Sequence, residues 1–299
     1  MTVLVTGARG NIGRRVVARL HAAGEHVRTA ARESLASSSA DNSAANSGSG
    51  SAAGSSSDSD SATATASGSG SATDLNEAVK GINAAFLYTT RGNATTFLRA
   101  AHNAGTQYVV LLSSPAAYEA VEYRAPIGRI HRAAEEAVTE SGLEYTVLYP
   151  SWLATNAQRD WGAAIRAGQP VELPYPAAQC APIHPDDVAE AAVDLLLNST
   201  HRSRIQVLSG PESMRLDEAV ATIGDVIGRP IPVREISRED ALKQREPWLT
   251  AEVLESLLDS AAASVGRPAL ITNAVERITG HSARSLRDWI AENRADFEG

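Results

Sequence analysis

A chain with a single cysteine, Cys180, can build neither a disulfide framework nor a cysteine-rich metal site. Positive charge is also short. The 27 Lys and Arg stand against 35 Asp and Glu, a formal net charge of −8, which argues against a general nucleic-acid surface. Aromatic residues make up only 5% of the chain, so Ala and the aliphatic residues must supply most of the core. No apolar run approaches the roughly 20 residues that span a bilayer, which excludes a membrane partner of that kind. Met1 leads straight into an apolar stretch with no room for a secretory leader, so a cytoplasmic location is expected.

What is present begins at once. Residues 2–13 read TVLVTGARGNIG, a short apolar strand running into a glycine-rich turn before the helical pattern Ile12, Val16, Val17, Leu20. Gly7 suits the sharp turn, Gly10 a close approach of backbone to a pyrophosphate, and Gly13 tight packing of helix on strand. The loop Gly7, Ala8, Arg9, Gly10, Asn11, Ile12, Gly13 is therefore the candidate phosphate cradle, with phosphate seated on the unpaired N–H groups of the helix start.

Downstream, strands are expected at residues 25–30, 84–88, 108–113 and 144–149. Helices are expected at 75–81, 97–104 and 127–141, closed by Gly81, Gly105 and Gly142. This alternation predicts an α/β fold, a Rossmann-type doubly wound parallel sheet over residues 1–150 with right-handed crossovers. Past Pro150 the rhythm breaks. Pro170, Pro174, Pro176 and Pro182 punctuate a loop-rich stretch, followed by helix 186–197, strand 205–208, helix 216–227 and a mostly helical end. Residues 151–299 are expected to form a smaller, mostly helical lobe over the sheet's carboxyl edge, where such sheets bind ligands.

One stretch does not fit. Residues 34–73 are nearly all Ser, Ala, Gly, Asn, Asp and Thr, with Leu35 the only large apolar side chain. The composition is that of a linker, yet a doubly wound fold needs a helix and a third strand there. The tract reads as sequence standing in for natural residues, with a natural disordered insertion as the alternative.

Candidate site residues follow from the strand ends. Arg32, with Arg28 earlier on the same strand, can pair with a 2′-phosphate, favouring NADP(H) over NAD(H). Thr89 and Thr90 form a polar turn for the cofactor's ribose and phosphates. Ser113 and Ser114 stand where a hydroxyl could bond a substrate carbonyl or the nicotinamide ribose, although a helix-capping role fits them equally. Tyr149, Pro150 and Ser151 complete the candidate cofactor edge. His131, alone of seven histidines, lies on the helix facing the expected nicotinamide site, and imidazole can give a hydrogen bond or a proton to an oxygen gaining charge. Ser113 and His131 are the candidate catalytic residues. The sequence HPDDVAEA around His184, Asp186 and Asp187 could hold a metal, but reads more simply as a helix cap with acids on the dipole, so no metal is expected.

Together the segments VLVTGARGNIG, VRTAAR, YVVLLSS, SGLEYTVLYPSWLATN, PIHPDDVAEAAVDLLL, RIQVLSGPESMRLDEAVATIGDVIGRPI and ITGHSARSLRDWIAENRADF resemble the NmrA-like family of atypical short-chain dehydrogenases and reductases. The resemblance spans nearly the whole chain outside residues 34–73. It is nearest to the bacterial NAD(P)H quinone reductase and triphenylmethane reductase branch, where a histidine also stands fourteen residues before the Tyr of a Tyr-Thr pair, as His131 does before Tyr145. It implies NADP(H) along the sheet edge, Arg32 near the 2′-phosphate and a substrate cleft under the C-terminal lobe. Two features depart from the wider pattern: no Tyr is followed by Lys four residues later, and the acidic third strand is missing. An epimerase or dehydratase is disfavoured by the first. The expected activity is hydride transfer from NADPH to a quinone-like or conjugated carbonyl small molecule. The alternative is a non-catalytic NADP(H)-binding redox-sensing regulator of the NmrA type, and a homodimer stays open.

Overall fold

Six strands line up side by side in one direction. In the computed structural model, which describes residues 1–30, 72–88, 94–118, 126–245 and 249–298, they are β1 (Thr2–Thr6), β2 (His26–Ala30), β3 (Ala84–Leu87), β4 (Tyr108–Leu112), β5 (Glu144–Pro150) and β8 (Ile205–Leu208). Their order is β2-β1-β3-β4-β5-β8 and every pairing is parallel. The chain leaves β1 toward β2 on one side and returns to β3 on the other. The sheet therefore splits its winding between β1 and β3, and such a switch point opens a crevice at the strands' carboxyl ends.

The strands are apolar on both faces because both faces are covered. Val3 and Val5 face α1 (Asn11–Ala22) and α6 (Pro185–Leu197), where Val16, Leu20, Val188 and Leu195 are fully buried. Leu4 points the other way, toward α2 (Ala72–Val79), α3 (Ala94–Asn103) and α4 (Pro126–Thr139), joining Phe97, Leu98 and Val138. One residue of shift would reverse both sets, which fixes the register. The expected helix stops hold, with Gly81, Gly105 and Gly142 all at positive φ.

Residue 150 is not where the layers divide. After Pro150 the chain forms α5 (Thr155–Arg166), β6 (Val171–Leu173) and β7 (Gln179–Cys180), then returns to the sheet as α6 and β8. The helix α10 (Ala274–Thr279) also packs there, through Val275 and Ile278. A separate core gathers Trp161, Ile165, Ile223, Trp289 and Phe297, drawn from α5, α7 (Leu216–Ile227), α11 (Leu286–Glu292) and the C-terminal turn. Between them lie β9 (Met214–Arg215), β10 (Val233–Glu235), α8 (Arg238–Lys243) and α9 (Ala251–Ser264). Among the described residues, no helix is long and apolar enough to cross a membrane.

Candidate active site

At the switch point Gly7 takes φ +64°, and the Gly10 amide donates to Gly7 O at 2.8 Å, closing the turn. Gly10 heads α1 with no side-chain cap, so the first-turn N–H groups are left for an anion. A Cβ on Gly13 would stand 2.2 Å from Gly7 O, and one on Gly10 3.1 Å from the same atom. Backbone here is packed where side chains would otherwise fill the space, and that is the cradle a pyrophosphate needs. Thr6, buried beneath it, accepts the Tyr88 amide at 2.8 Å and ties the ends of β1 and β3 together.

Within this loop Gly7, Arg9 and Gly10 are exposed and Ala8 is half-buried, while Ile12 is core and packs under the sheet. Asn11 is held on two sides. Its amide donates to Thr155 Oγ1 at 2.8 Å, and the Arg15 guanidinium donates to its Oδ1 at 2.7 Å. The link to Thr155 joins the phosphate loop to the first helix after Pro150, a contact that spacing along the chain could not reveal.

The second half of the site lies past β4 and β5. Ser113 and Tyr149, both buried, converge on one carboxylate: the Ser113 hydroxyl donates to Glu135 Oε1, and the Tyr149 hydroxyl donates to Glu135 Oε2 at 2.8 Å. Burial first, then the Glu135 carboxylate, raises the Tyr149 phenol well above its ordinary value. Tyr118 covers Tyr149 edge-on, with ring centroids 4.9 Å apart. His131 sits one turn before Glu135 on the same face of α4. Its ring is 7% exposed and has no hydrogen-bond partner among the described residues. Burial lowers its pKa to about 4, so at neutral pH it is an uncharged imidazole with one N–H to give.

These contacts correct several expectations. The Ser113 hydroxyl, expected to face a substrate carbonyl or the nicotinamide ribose, gives its one proton to Glu135. Ser114 caps the short 3₁₀ turn Pro115–Ala117 by accepting the Ala116 amide, as the capping reading allowed. Ser151 donates its hydroxyl proton to Ala181 O and its amide to Leu208 O, leaving no donor for a cofactor. Pro150 continues β5 beside Leu208. Arg28 turns back to the last carbonyls of α2, donating to Ala78 O and Lys80 O at 2.8 Å each. Arg32, Thr89, Thr90 and the expected third strand lie outside the described residues. Glu135 was missed because, among the acids of an amphipathic helix, it reads as solvated face. Its one signal was its place four residues after His131.

His184 caps α6 as the simpler reading held. Its Nδ1 accepts the Asp186 amide at 3.1 Å and its Nε2–H donates to Glu292 at 3.1 Å. Asp187, fully buried, accepts the Arg284 amide at 2.8 Å and also its guanidinium, while Glu190 accepts from Arg19, Arg284 and His281. These carboxylates lie close enough together for a metal, yet arginines already hold the Asp187 and Glu190 pair.

Comparison with known proteins agrees with this fold. The NAD(P)H-binding family matches residues 7–199. The (4-alkanoyl-5-oxo-2,5-dihydrofuran-3-yl)methyl phosphate reductase of Streptomyces griseus is 32% identical over 99% of this chain and 99% of its own. Among solved structures, the Citrobacter sp. triphenylmethane reductase complexed with NADP(H) aligns with TM-score 0.71 at 16% identity, covering 98% of this chain and 99% of its own. An Escherichia coli NADPH-dependent quinone oxidoreductase aligns with TM-score 0.70 at 18% identity over 98% and 99%. At these identities the two structures speak for the fold alone.

Proposed function

The chain belongs to the NAD(P)H-binding family, in its NmrA-like branch of atypical short-chain dehydrogenases and reductases, and on that premise we propose that it is an NADPH-dependent reductase of conjugated carbonyl or quinone-like small molecules. The observation that carries this reading is the glycine cradle at the switch point, where Gly7 turns the chain at positive φ, Gly10 is tight against the Gly7 carbonyl and Gly13 has no room for a Cβ. Gly7 through Gly13 and the α1 N-terminus would hold the pyrophosphate, and the nicotinamide, when bound, supplies the hydride. The Streptomyces griseus relative is named for a 2,5-dihydrofuranone, a carbonyl conjugated with a ring double bond. An acceptor of that class fits the missing Tyr-x-x-x-Lys, because its product anion is delocalised and needs little acid catalysis. In this reading the neutral His131 N–H would hydrogen-bond the oxygen that gains charge. The lobe built around Trp161 and Trp289, with Trp152 stacked on Trp161, would close the substrate cleft from above in a cytoplasmic enzyme.

Loss of NADPH absorbance with a panel of butenolides, enones and quinones tests this directly. Turnover with at least one is expected; NADPH binding with no turnover on any would instead favour the non-catalytic regulator. Cofactor choice has its own test. Arg32→Ala should weaken NADPH binding about tenfold and leave NADH unchanged, the loss of one charged contact to the 2′-phosphate. Equal losses for both cofactors would remove Arg32 from phosphate recognition.

A further inference from the structure

A hydroxyl carries one proton and two lone pairs. Ser113 and Tyr149 stand on neighbouring strands, at the carboxyl ends of β4 and β5, and both give that proton to the same side chain. Glu135 reaches them from α4, with one oxygen for each. An ionised carboxylate only accepts, so neither hydroxyl can turn its proton elsewhere while Glu135 holds its place. The surrounding framework is stiff. Both side chains are about nineteen-twentieths buried, and the Ser113 amide continues the β4–β5 ladder by donating to Leu148 O at 2.9 Å.

We propose that Glu135 is a positioning residue that sets the hydrogen-bond polarity of this corner of the site: it makes Ser113 and Tyr149 acceptors, matched to the hydroxyl and amide donors at the nicotinamide end of the dinucleotide. The proposal rests on the NAD(P)H reading above and deepens it. The nicotinamide ribose offers O–H donors and the carboxamide N–H donors, whereas the carbonyl oxygen of a hydride acceptor has only lone pairs. A corner of lone pairs therefore recognises the cofactor and turns the carbonyl away. The carbonyl is left to His131, one turn earlier on α4, whose ring has no described partner. The raised Tyr149 phenol agrees, since it keeps its proton throughout the neutral range.

The experiment uses the full chain and measures NADPH affinity by fluorescence titration without acceptor, alongside kcat, acceptor KM and thermal melting. Glutamine at 135 keeps the shape but offers N–H donors, so one hydroxyl must turn its proton toward the cofactor. Glu135→Gln should raise the Kd for NADPH about tenfold with little change in acceptor KM. Adding Ser113→Ala and Tyr149→Phe to it should weaken NADPH further, because the hydroxyl that still donates to the glutamine carbonyl is lost as an acceptor as well. An unchanged Kd with a raised acceptor KM would mean that the hydroxyls face the acceptor, and would overturn the proposal. So would lowered melting with Kd and kinetics both unchanged, which is the mark of a merely structural role. If Glu135→Gln does not fold, Tyr149→Phe alone must still weaken NADPH, or the proposal falls. Wild-type protein that fails to bind NADPH would sink the underlying reading as well; NADPH bound normally by both wild type and Glu135→Gln sinks this proposal alone.

Discussion

Replacing His131 by alanine should lower kcat for a conjugated acceptor by about 10²–10³-fold while leaving the Kd for NADPH nearly unchanged. Loss of one preorganised donor to a developing oxyanion typically has that size. The residue is buried, uncharged at neutral pH and without a hydrogen-bond partner among the described residues, so it has an N–H to offer. Its protonation state makes the expectation sharper. With a pKa of about 4, the imidazole stays neutral from pH 5.5 upward, and the pH profile of kcat should show no limb from His131 between pH 5.5 and 8. An imidazolium acting as general acid would instead give a rate that falls as pH rises through the ordinary histidine range. His131→Gln, which keeps an N–H donor, should recover part of the rate. A profile with a histidine limb that disappears in His131→Ala would replace the neutral donor with a charged acid. Unchanged kinetics in both variants would remove His131 from the chemistry.

The second large effect concerns stability. Asp187 is fully buried and relies on Arg284, which also bridges to Glu190. Through Glu190 and Asp186 the same network reaches Arg19 and Arg15 on α1, the helix that begins at the phosphate loop. Arg284→Ala leaves the buried Asp187 charge with only a backbone N–H, and unfolding free energy should fall by about 3–5 kcal/mol at pH 7. In a chain of this size the melting temperature should drop on the order of 10 °C. The pH dependence has a definite sign. Burial opposes it, but hydrogen bonds from Arg284, Arg19 and His281 bring Glu190 down to about 2, from 4.5 unfolded. A depressed acid stabilises the fold above its unfolded value, and that contribution is lost as pH falls from 4.5 toward 2. Asp187 shifts the other way, because burial raises it against the pull of Arg284; stranded in the variant, it can take up a proton as pH falls. Both effects narrow the gap between wild type and Arg284→Ala in acid. Urea unfolding at pH 7, 4 and 3 reads the gap, and a gap that stays constant would show that these charges do not carry the stability.

The fold was legible along the chain because its signals are local. The continuous apolar run Val3, Leu4 and Val5, the helix period through Val16 and Leu20, and glycines at positive φ after most of the helices are decided within a few residues. So is the glycine turn after β1: Gly13 is glycine because its neighbour six residues back leaves no space for a Cβ. The cap at His184 was equally readable, since a proline followed by two acids at a helix start has one simple meaning.

What the tertiary structure alone decided is who meets whom across strands. The sequence puts Ser113 and Tyr149 on one candidate edge but gives no sign that Glu135 joins them. Only the β4–β5 pairing, with α4 laid on that face, brings one carboxylate to both hydroxyls and reverses the direction in which Ser113 donates. The same holds for Ser151, whose proton goes to Ala181, and for the return of the chain to the sheet at β8, which carries the Rossmann layer past residue 150. Spacing along a chain sets helices and strands, because their hydrogen bonds are short-range. The proton a side chain gives, and the charge a histidine keeps, depend on neighbours that only packing supplies.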